Sequence, residues 1–229
     1  VMLHLALRGL AALFSMPAQA RRWRVQQRER TMHAALLEGL SHLLAGRFLR
    51  ARKAAEAALL QQEALAASGH RLQHSARLRA LSHLVSAESA HALQDKTMRD
   101  LHLQRALADT AAREEQETRE GVQLRATRWA LADRDPQAAL RLLDDMPHGA
   151  ARRTLALRAR LKAARQAGQT LPALETARLL AKHRAFSTDA ALLILKGLAL
   201  ELVHDAHDPP QLQRAWVLLE PAERRMPEV

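Results

Sequence analysis

Two histidines four residues apart, His70 and His74, come closest in this sequence to a ligand pair. On one face of a helix, that spacing lets two imidazoles bind one metal ion if a carboxylate completes the site. Gly69 directly precedes the pair, so the sequence does not fix where such a helix starts. His83 and His91 are eight residues apart, which sets them about 80° apart around a helix. We predict no metal and no cofactor, with haem or porphyrin at His70 and His74 as the alternative.

No other residue pattern predicts catalysis. The chain has no Cys, which excludes disulfides, thiolate metal sites and a Cys nucleophile. It has no glycine-rich phosphate loop, no H-E-x-x-H and no G-x-S-x-G. An acidic cluster is better explained as a solvated helix face than as an acid–base site; its members are Glu114, Glu115, Glu117 and Glu120, with Arg113 and Arg119 among them. We therefore predict that the chain is not an enzyme.

A cluster of arginines with one tryptophan follows the apolar stretch Val1–Met16. Tryptophan favours the membrane interface, and Arg and Lys collect on the cytoplasmic side of a span. Each cation near an anionic surface contributes about 1 kcal/mol. The order of apolar stretch and basic cluster favours a membrane-surface segment over a solvated helix face. The predicted membrane-surface residues are Arg21, Arg22, Trp23, Arg24, Arg28 and Arg30.

The apolar stretch itself allows two interpretations. Its sixteen residues fall short of the roughly 20 that span a bilayer. It is either the trailing end of a membrane helix or an amphipathic helix that packs on a neighbour. Pro17 is expected to interrupt the helix or to start a new one. Because residue 1 is Val, we expect the chain to be part of a longer protein.

The composition predicts an all-α protein. Apolar residues make up 48% of the 229 residues, Tyr is absent, and there are three Phe and three Trp. Most of the apolar residues are Ala and Leu, which are strong helix formers. The net charge of +11 favours polyanionic partners, although an Arg-rich composition explains part of the excess. Few aromatics are available for stacking single-stranded bases, so nucleic acid is not the expected partner.

The stretch Met32–Leu60 predicts two helices joined by a turn at Gly46. Small residues recur where the two helices must touch, and an aromatic starts the second helix. Gly39 and Ala51 are twelve residues apart, and Ala58 follows seven residues later. This is the spacing of a helix–turn–helix repeat of about 34 residues. The predicted packing residues of this pair are Gly39, Phe48, Ala51 and Ala58.

Four further helix pairs are predicted along the chain, at about 72–108, 118–146, 151–183 and from Ser187 onward. Thr127 and Ala139 repeat the twelve-residue spacing, as do Leu161 and Ala173. Ala87 and Ala106 are nineteen residues apart, like Gly39 and Ala58, with Arg99 at the intermediate position. We therefore predict tetratricopeptide-like helix pairs that form a right-handed superhelix. Thr127, Ala139 and Ala173 are its further packing residues.

Helix-start signals mark several of these pairs. Asp95 or Thr97 is the expected N-cap of the second helix in the second pair. In the third pair, Asp135 is the expected N-cap of the second helix, with Pro136 at its first position. Thr170 is expected to cap the helix after Gly168. Capping residues at 187–189 precede an apolar helix, Asp208 and two prolines break it, and a last helix is predicted at about 211–226.

The chain resembles the proteobacterial HemY family of inner-membrane, tetratricopeptide-containing proteins linked to haem biosynthesis. The resemblance rests on the order of the apolar stretch, the Arg-Arg-Trp cluster and the pattern E-G-L-x₆-G-R-F-x₂-A at 38–51, and on W-A-L-A-D-R-D-P-Q-A-A-L-R-L-L-D-D-M-P at 129–147. It implies residues 1–30 as the end of a membrane helix with a basic juxtamembrane segment. It implies residues 31–229 as the N-terminal part of a helical-repeat domain of about five pairs.

The function expected from this reasoning is a membrane-tethered scaffold that binds other proteins. Stacked helix pairs present a long groove to a peptide or a helix of a partner. The resemblance implies that the partners are enzymes of late protohaem biosynthesis, and that the repeat domain lies on the cytoplasmic face of the bacterial inner membrane. The alternatives are a nucleic-acid-binding repeat module and a haem or porphyrin carrier.

Overall fold

The structure, a computed structural model, describes residues 2–69 and 72–228, and it describes side chains from Trp23 onward. The described residues form helices joined by turns and short loops and contain no strand, which confirms the all-α prediction. Two short 3₁₀ helices, Arg113–Glu115 and Glu223–Arg225, accompany the α-helices. The α-helices described are α1 (Met2–Leu44), α2 (Phe48–Ala67), α3 (Ser75–Ala92), α4 (Lys96–Asp109), α5 (Gln116–Ala132), α6 (Pro136–Asp144), α7 (His148–Ala151), α8 (Thr154–Gln166), α9 (Thr170–Lys182), α10 (Thr188–His204) and α11 (Pro209–Leu218).

The helices form two compact units, Val1–Val122 and Gln123–Val229, with the boundary inside α5. In the first unit, α1 packs against α2 and α3, and α3 packs against α2 and α4. In the second unit, α8 packs against α6 and α9, and α10 packs against α9 and α11. Most of these contacts join helices that are neighbours in sequence, as helix pairs require.

Helix α1 is a single helix of 43 residues that continues through Pro17 and past residue 30. The prediction that Pro17 interrupts the helix is wrong, and the first helix of the opening pair is not short. A proline costs a helix one backbone hydrogen bond, and the strong helix formers on both sides of Pro17 continue the helix. Among the described residues, no helix combines the length and apolar character needed to cross a membrane.

Small side chains let α1 and α2 approach closely in the first unit. Met32 and Leu36 from α1 meet Ala51, Ala55 and Ala58 from α2, all buried. Leu65 from α2 and Val85 from α3 complete this core. The alanines fall three or four residues apart, so they form one face of α2.

The second unit buries leucines between successive helices. Its largest core cluster joins Leu161 of α8, Leu174 and Leu180 of α9, and Leu198 of α10. Trp129 of α5 is 4% exposed and therefore lies in the interior.

The chain after α10 differs from the prediction. Helix α11 ends at Leu218, whereas a helix to about residue 226 was expected. Leu219 is extended (ψ 139°), and Pro221 disfavours a helical conformation at Glu220 before it. A short 3₁₀ helix follows, and Arg178 of α9 binds its Glu223 with Nε–Oε1 at 2.9 Å.

Most of the predicted caps are confirmed. The carboxylate of Asp95 accepts from the Met98 N–H, and that of Asp135 accepts from the Ala138 N–H. Asp208, which was predicted only to break the preceding helix, also caps α11, since its carboxylate accepts from the Gln211 N–H. The Ser187 hydroxyl accepts from the Ala190 N–H.

The predicted cap at Thr170 is wrong, because Gln169 occupies that N-cap position without a side-chain bond. The Thr170 hydroxyl instead donates to Asp205 Oδ2 at 2.8 Å.

Candidate functional site

One turn geometry joins the two helices of four successive pairs. Its central residue is Gly46, Gln94, Arg134 or Gly168, at φ of 71°, 62°, 59° and 65°. In each turn, three successive backbone N–H groups donate to carbonyls of the preceding helix. The residue before the central residue donates to the carbonyl four residues earlier, and the central residue donates to the carbonyl three residues earlier. The residue after the central one donates to the carbonyl five residues earlier. The same bonds close α9 at Arg184. In the four pairs, however, the next helix starts two residues after the centre, whereas α10 starts four residues later.

The residues at three fixed sequence distances from the central residue of the turn are buried in all four pairs. The residues seven before, five after and twelve after the centre have little or no exposed surface. They are Gly39, Ala51 and Ala58; Ala87, Arg99 and Ala106; Thr127, Ala139 and Met146; and Leu161, Ala173 and Leu180. Three of the pairs place a small residue five after the turn, and the second pair places Arg99 there. The four pairs are therefore variants of one structural unit.

Gly39 of α1 makes a close contact with α2 and α3. A Cβ added to Gly39 would lie 3.4 Å from the carbonyl oxygen of Ala51, 3.5 Å from the Ala55 nitrogen and 3.5 Å from Val85 Cγ1. These contacts leave no room for a larger side chain. Phe48, the first residue of α2, is only half-buried.

The predicted membrane-surface residues lie on α1. Trp23 is 64% exposed, and Arg24, Arg28 and Arg30 are exposed as well. The side chains of Arg21 and Arg22 lie outside the described residues. The described part of this cluster therefore presents an aromatic ring and three cations to solvent.

The predicted ligand pair does not form a described site. His70 lies outside the described residues. His74 is exposed, has φ of 57° and precedes α3 without a side-chain cap bond. Within the described part of the chain, no three His, Cys, Asp or Glu side chains are grouped to hold a metal ion.

A different histidine pair, His83 of α3 and His102 of α4, lies at a buried helix contact. Their Nδ1 atoms are 3.0 Å apart, so one imidazole donates to the other. His83 Nε2 lies 3.8 Å from Asp109 Oδ2, and Arg79 binds the same carboxylate at 2.6 Å. His102 Nε2 is buried without a hydrogen-bond partner among the described residues.

Burial keeps both imidazoles of this pair neutral. It lowers the pKa of His83 from 6.5 to about 4, helped by the charges of His102, Arg105 and Arg79. It also lowers the pKa of His102, where Arg105 acts in the same direction and Glu56 opposes it. Burial raises the pKa of Asp109, against the attraction of Arg79. The pair therefore forms a neutral polar contact that acid would charge.

The histidine pair borders an open cleft of about 560 Å³ in the first unit. Leu59 and Leu60 of α2 line one side, and Met98 and Arg105 of α4 line the other. The cleft gives solvent a route toward the pair.

The spacing of His83 and His102 could have identified this contact from the sequence. They are nineteen residues apart, which is the separation of the facing positions Ala87 and Ala106. Each histidine precedes its alanine by four residues, or one helical turn. A pair across two helices is not visible in the spacing within either helix, so the sequence analysis did not predict it.

The acidic cluster at 114–120 divides into exposed and structural carboxylates. Glu114 and Glu117 are exposed, whereas Glu115 and Glu120 are buried. Glu115 accepts from Arg77 Nε at 2.9 Å. Glu115 thus helps to hold the segment between α4 and α5 against α3.

Comparison of the chain with models of known protein families, with curated proteins and with solved structures finds no match.

Proposed function

We propose that the chain is a membrane-tethered helical-repeat scaffold that binds other proteins and is not itself an enzyme. The observation that carries this proposal is the turn that recurs at Gly46, Gln94, Arg134 and Gly168 with the same buried offsets around it. Stacks of such units bind peptides or helices of partner proteins along their exposed helix faces. The proposal includes tetratricopeptide-like units, wound in a right-handed superhelix whose groove is lined by the first helix of each pair.

The membrane tether is proposed from the basic middle part of α1. Trp23, Arg24, Arg28 and Arg30 are exposed together on that helix, as a segment at an anionic lipid surface requires. The resemblance to the HemY family supplies the rest of the proposal. The location is the cytoplasmic face of the bacterial inner membrane, and the partners are enzymes of late protohaem biosynthesis.

Co-purification from detergent-solubilised membranes tests this function. The tagged chain is expected to retain enzymes of late protohaem biosynthesis. A matched variant, Gly39→Leu, should retain less of them, because it disturbs the contact between α1 and α2. Retention of nucleic acid and no protein would instead support the nucleic-acid alternative.

A further inference from the structure

The excess of cations in the second unit lies on α5 and α8, which are the first helices of the two pairs there that share the recurrent turn; α10 has one cation and two acidic residues. Helix α8 contains four cations and no acidic residue, and residues 123–132 of α5 contain two cations and no acidic residue. The second helices are mixed: α6 has one cation and one acidic residue, and α9 has two cations and one acidic residue. If the cations followed only from the Arg-rich composition, the first and second helices of the pairs would carry similar numbers of them. The excess of cations therefore belongs to α5 and α8.

Three cations of α8 share one face of the helix. Arg158, Lys162 and Arg165 are four and three residues apart, a spacing that places side chains on one side of a helix. Arg158 is already bound, since it donates to the Ala185 carbonyl at 2.6 Å and its guanidinium lies 5.7 Å from the Phe186 ring centroid. Lys162 and Arg165 are exposed and have no acidic partner in the described part of the chain.

An exposed leucine extends this face by two turns. Leu155 is 58% exposed and lies seven residues before Lys162, on the same side of α8. The face thus combines an apolar contact at one end with unpaired cations at the other.

Arg128 of α5 occupies the position equivalent to Lys162. It lies six residues before the turn centre Arg134, as Lys162 lies six before Gly168, and it is exposed. In the first unit, the equivalent positions hold Leu40 and Glu88. The basic positions are therefore a feature of the second unit.

A shared core cluster brings α5 and α8 together. Leu131 of α5, Ala139 of α6 and Ala163 of α8 are packed in one buried group. The three helices therefore meet at one buried core, which brings α5 and α8 into the same part of the second unit.

We infer that Arg128, Leu155, Lys162 and Arg165 form a docking surface for an acidic, extended segment of a partner protein. An extended chain rises about 3.3 Å per residue, so carboxylates three residues apart are separated by about 10 Å. This distance is close to the separation of the axes of two packed helices, about 8–10 Å. The inference rests on the proposed function and names the chemistry of its partner.

A peptide suits this surface better than a nucleic acid does. Single-stranded nucleic acid binds by stacking its bases on exposed aromatic rings. The aromatic residue of α5, Trp129, is 4% exposed, and α8 contains none. The exposed Leu155 adds an apolar contact, which a peptide side chain uses and a phosphate backbone does not.

Fluorescence anisotropy with a labelled twelve-residue peptide that carries glutamate at every third position tests the inference. The variant Arg128→Glu/Lys162→Glu should weaken binding of this peptide at least tenfold. The matched control Arg141→Glu/Lys182→Glu changes the net charge equally, at exposed positions of the second helices α6 and α9, and should weaken binding less than threefold. Circular dichroism and the melting temperature confirm that both variants fold.

Equal weakening in the two variants, or no binding of the peptide by the unchanged chain, would overturn the inference. Tighter binding of a twelve-nucleotide single-stranded RNA or of anionic vesicles, lost in the same variant, would also overturn it. If the chain co-purifies partner proteins but does not bind the peptide, this inference is wrong and the proposed function is still supported. If the chain binds the peptide but co-purifies no protein, the proposed function is wrong.

Discussion

The Nδ1 atoms of His83 and His102 lie 3.0 Å apart at the buried contact between α3 and α4. Because burial holds the pKa of His83 at about 4 in the folded chain, the unfolded chain binds more protons between about pH 4 and 6.5. The free energy of unfolding should therefore fall as the pH drops through this window, by at most about 3 kcal/mol from His83. His102 acts in the same direction, and the raised pKa of Asp109 opposes both.

Urea unfolding between pH 7.5 and 4.5 measures this dependence. The variant His83→Asn keeps a polar group near Nδ1 but does not titrate, so it should lose part of the acid sensitivity. The matched variant His74→Asn changes an exposed histidine of the same unit, and Asn tolerates its left-handed backbone conformation. It should unfold with the pH dependence of the unchanged chain. The same reduced sensitivity in both variants would argue against a role for the buried pair.

Gly39→Leu should destabilise the first unit by about 1–3 kcal/mol. The new side chain would start 3.4 Å from the Ala51 carbonyl oxygen and 3.5 Å from Val85 Cγ1, so α1 would have to move away from α2. Thermal unfolding measures the change. Gly121→Leu is the control, because no atom lies within 4 Å of its Cβ position; it should be neutral or slightly stabilising. An unchanged melting temperature for Gly39→Leu would mean that the helix pair is misplaced.

Arg178→Met should destabilise the second unit by about 2–4 kcal/mol. Burial alone would raise the pKa of Glu223, but hydrogen bonds from Arg178 and the Glu220 backbone keep it below its ordinary value. Removing Arg178 leaves a carboxylate with 3% exposed side-chain surface unpaired. Arg160→Met is the matched control, since its partner Asp144 has 64% exposed side-chain surface; its cost should be under about 1 kcal/mol. Equal costs in chemical denaturation would contradict this account.

Replacing Arg21, Arg22, Arg24, Arg28 and Arg30 by Gln should weaken binding to anionic vesicles in a sedimentation assay. The control replaces five exposed arginines of the second unit by Gln, which gives the same net charge; they are Arg134, Arg141, Arg152, Arg184 and Arg225. The control should bind vesicles nearly as well as the unchanged chain. Unchanged binding by the first variant would refute the membrane-surface assignment.

The helical class and the caps were predictable because they depend on local chemistry. The high content of Ala and Leu predicts helices, and Asp95 and Asp135 cap the helices that follow them. The end of α11 differs from the prediction because Pro221 disfavours a helical conformation at Glu220. The candidate sites were harder to predict, because His83 and His102 come from different helices. Their contact depends on the register of α3 against α4, which the nineteen-residue spacing indicates only once the packing offsets are known.

The basic surface of α5 and α8 was also missed, and for a physical reason. The charge of +11 is a sum over the chain, whereas binding depends on which helix faces carry the cations. Lys162 and Arg165 become a candidate surface only once the structure shows that they are exposed and that Ala163 of α8 shares a buried cluster with Leu131 of α5.

Photo-cross-linking in intact cells tests the central claim, that the chain holds partner proteins along the first helices of its pairs, most directly. A photoreactive phenylalanine derivative is placed at Leu155 of α8, and in a second chain at Leu179 of α9, which is 42% exposed. The account predicts discrete protein adducts from position 155, containing enzymes of late protohaem biosynthesis, and few from position 179. No protein adducts from position 155, or the same adducts from both positions, would contradict it.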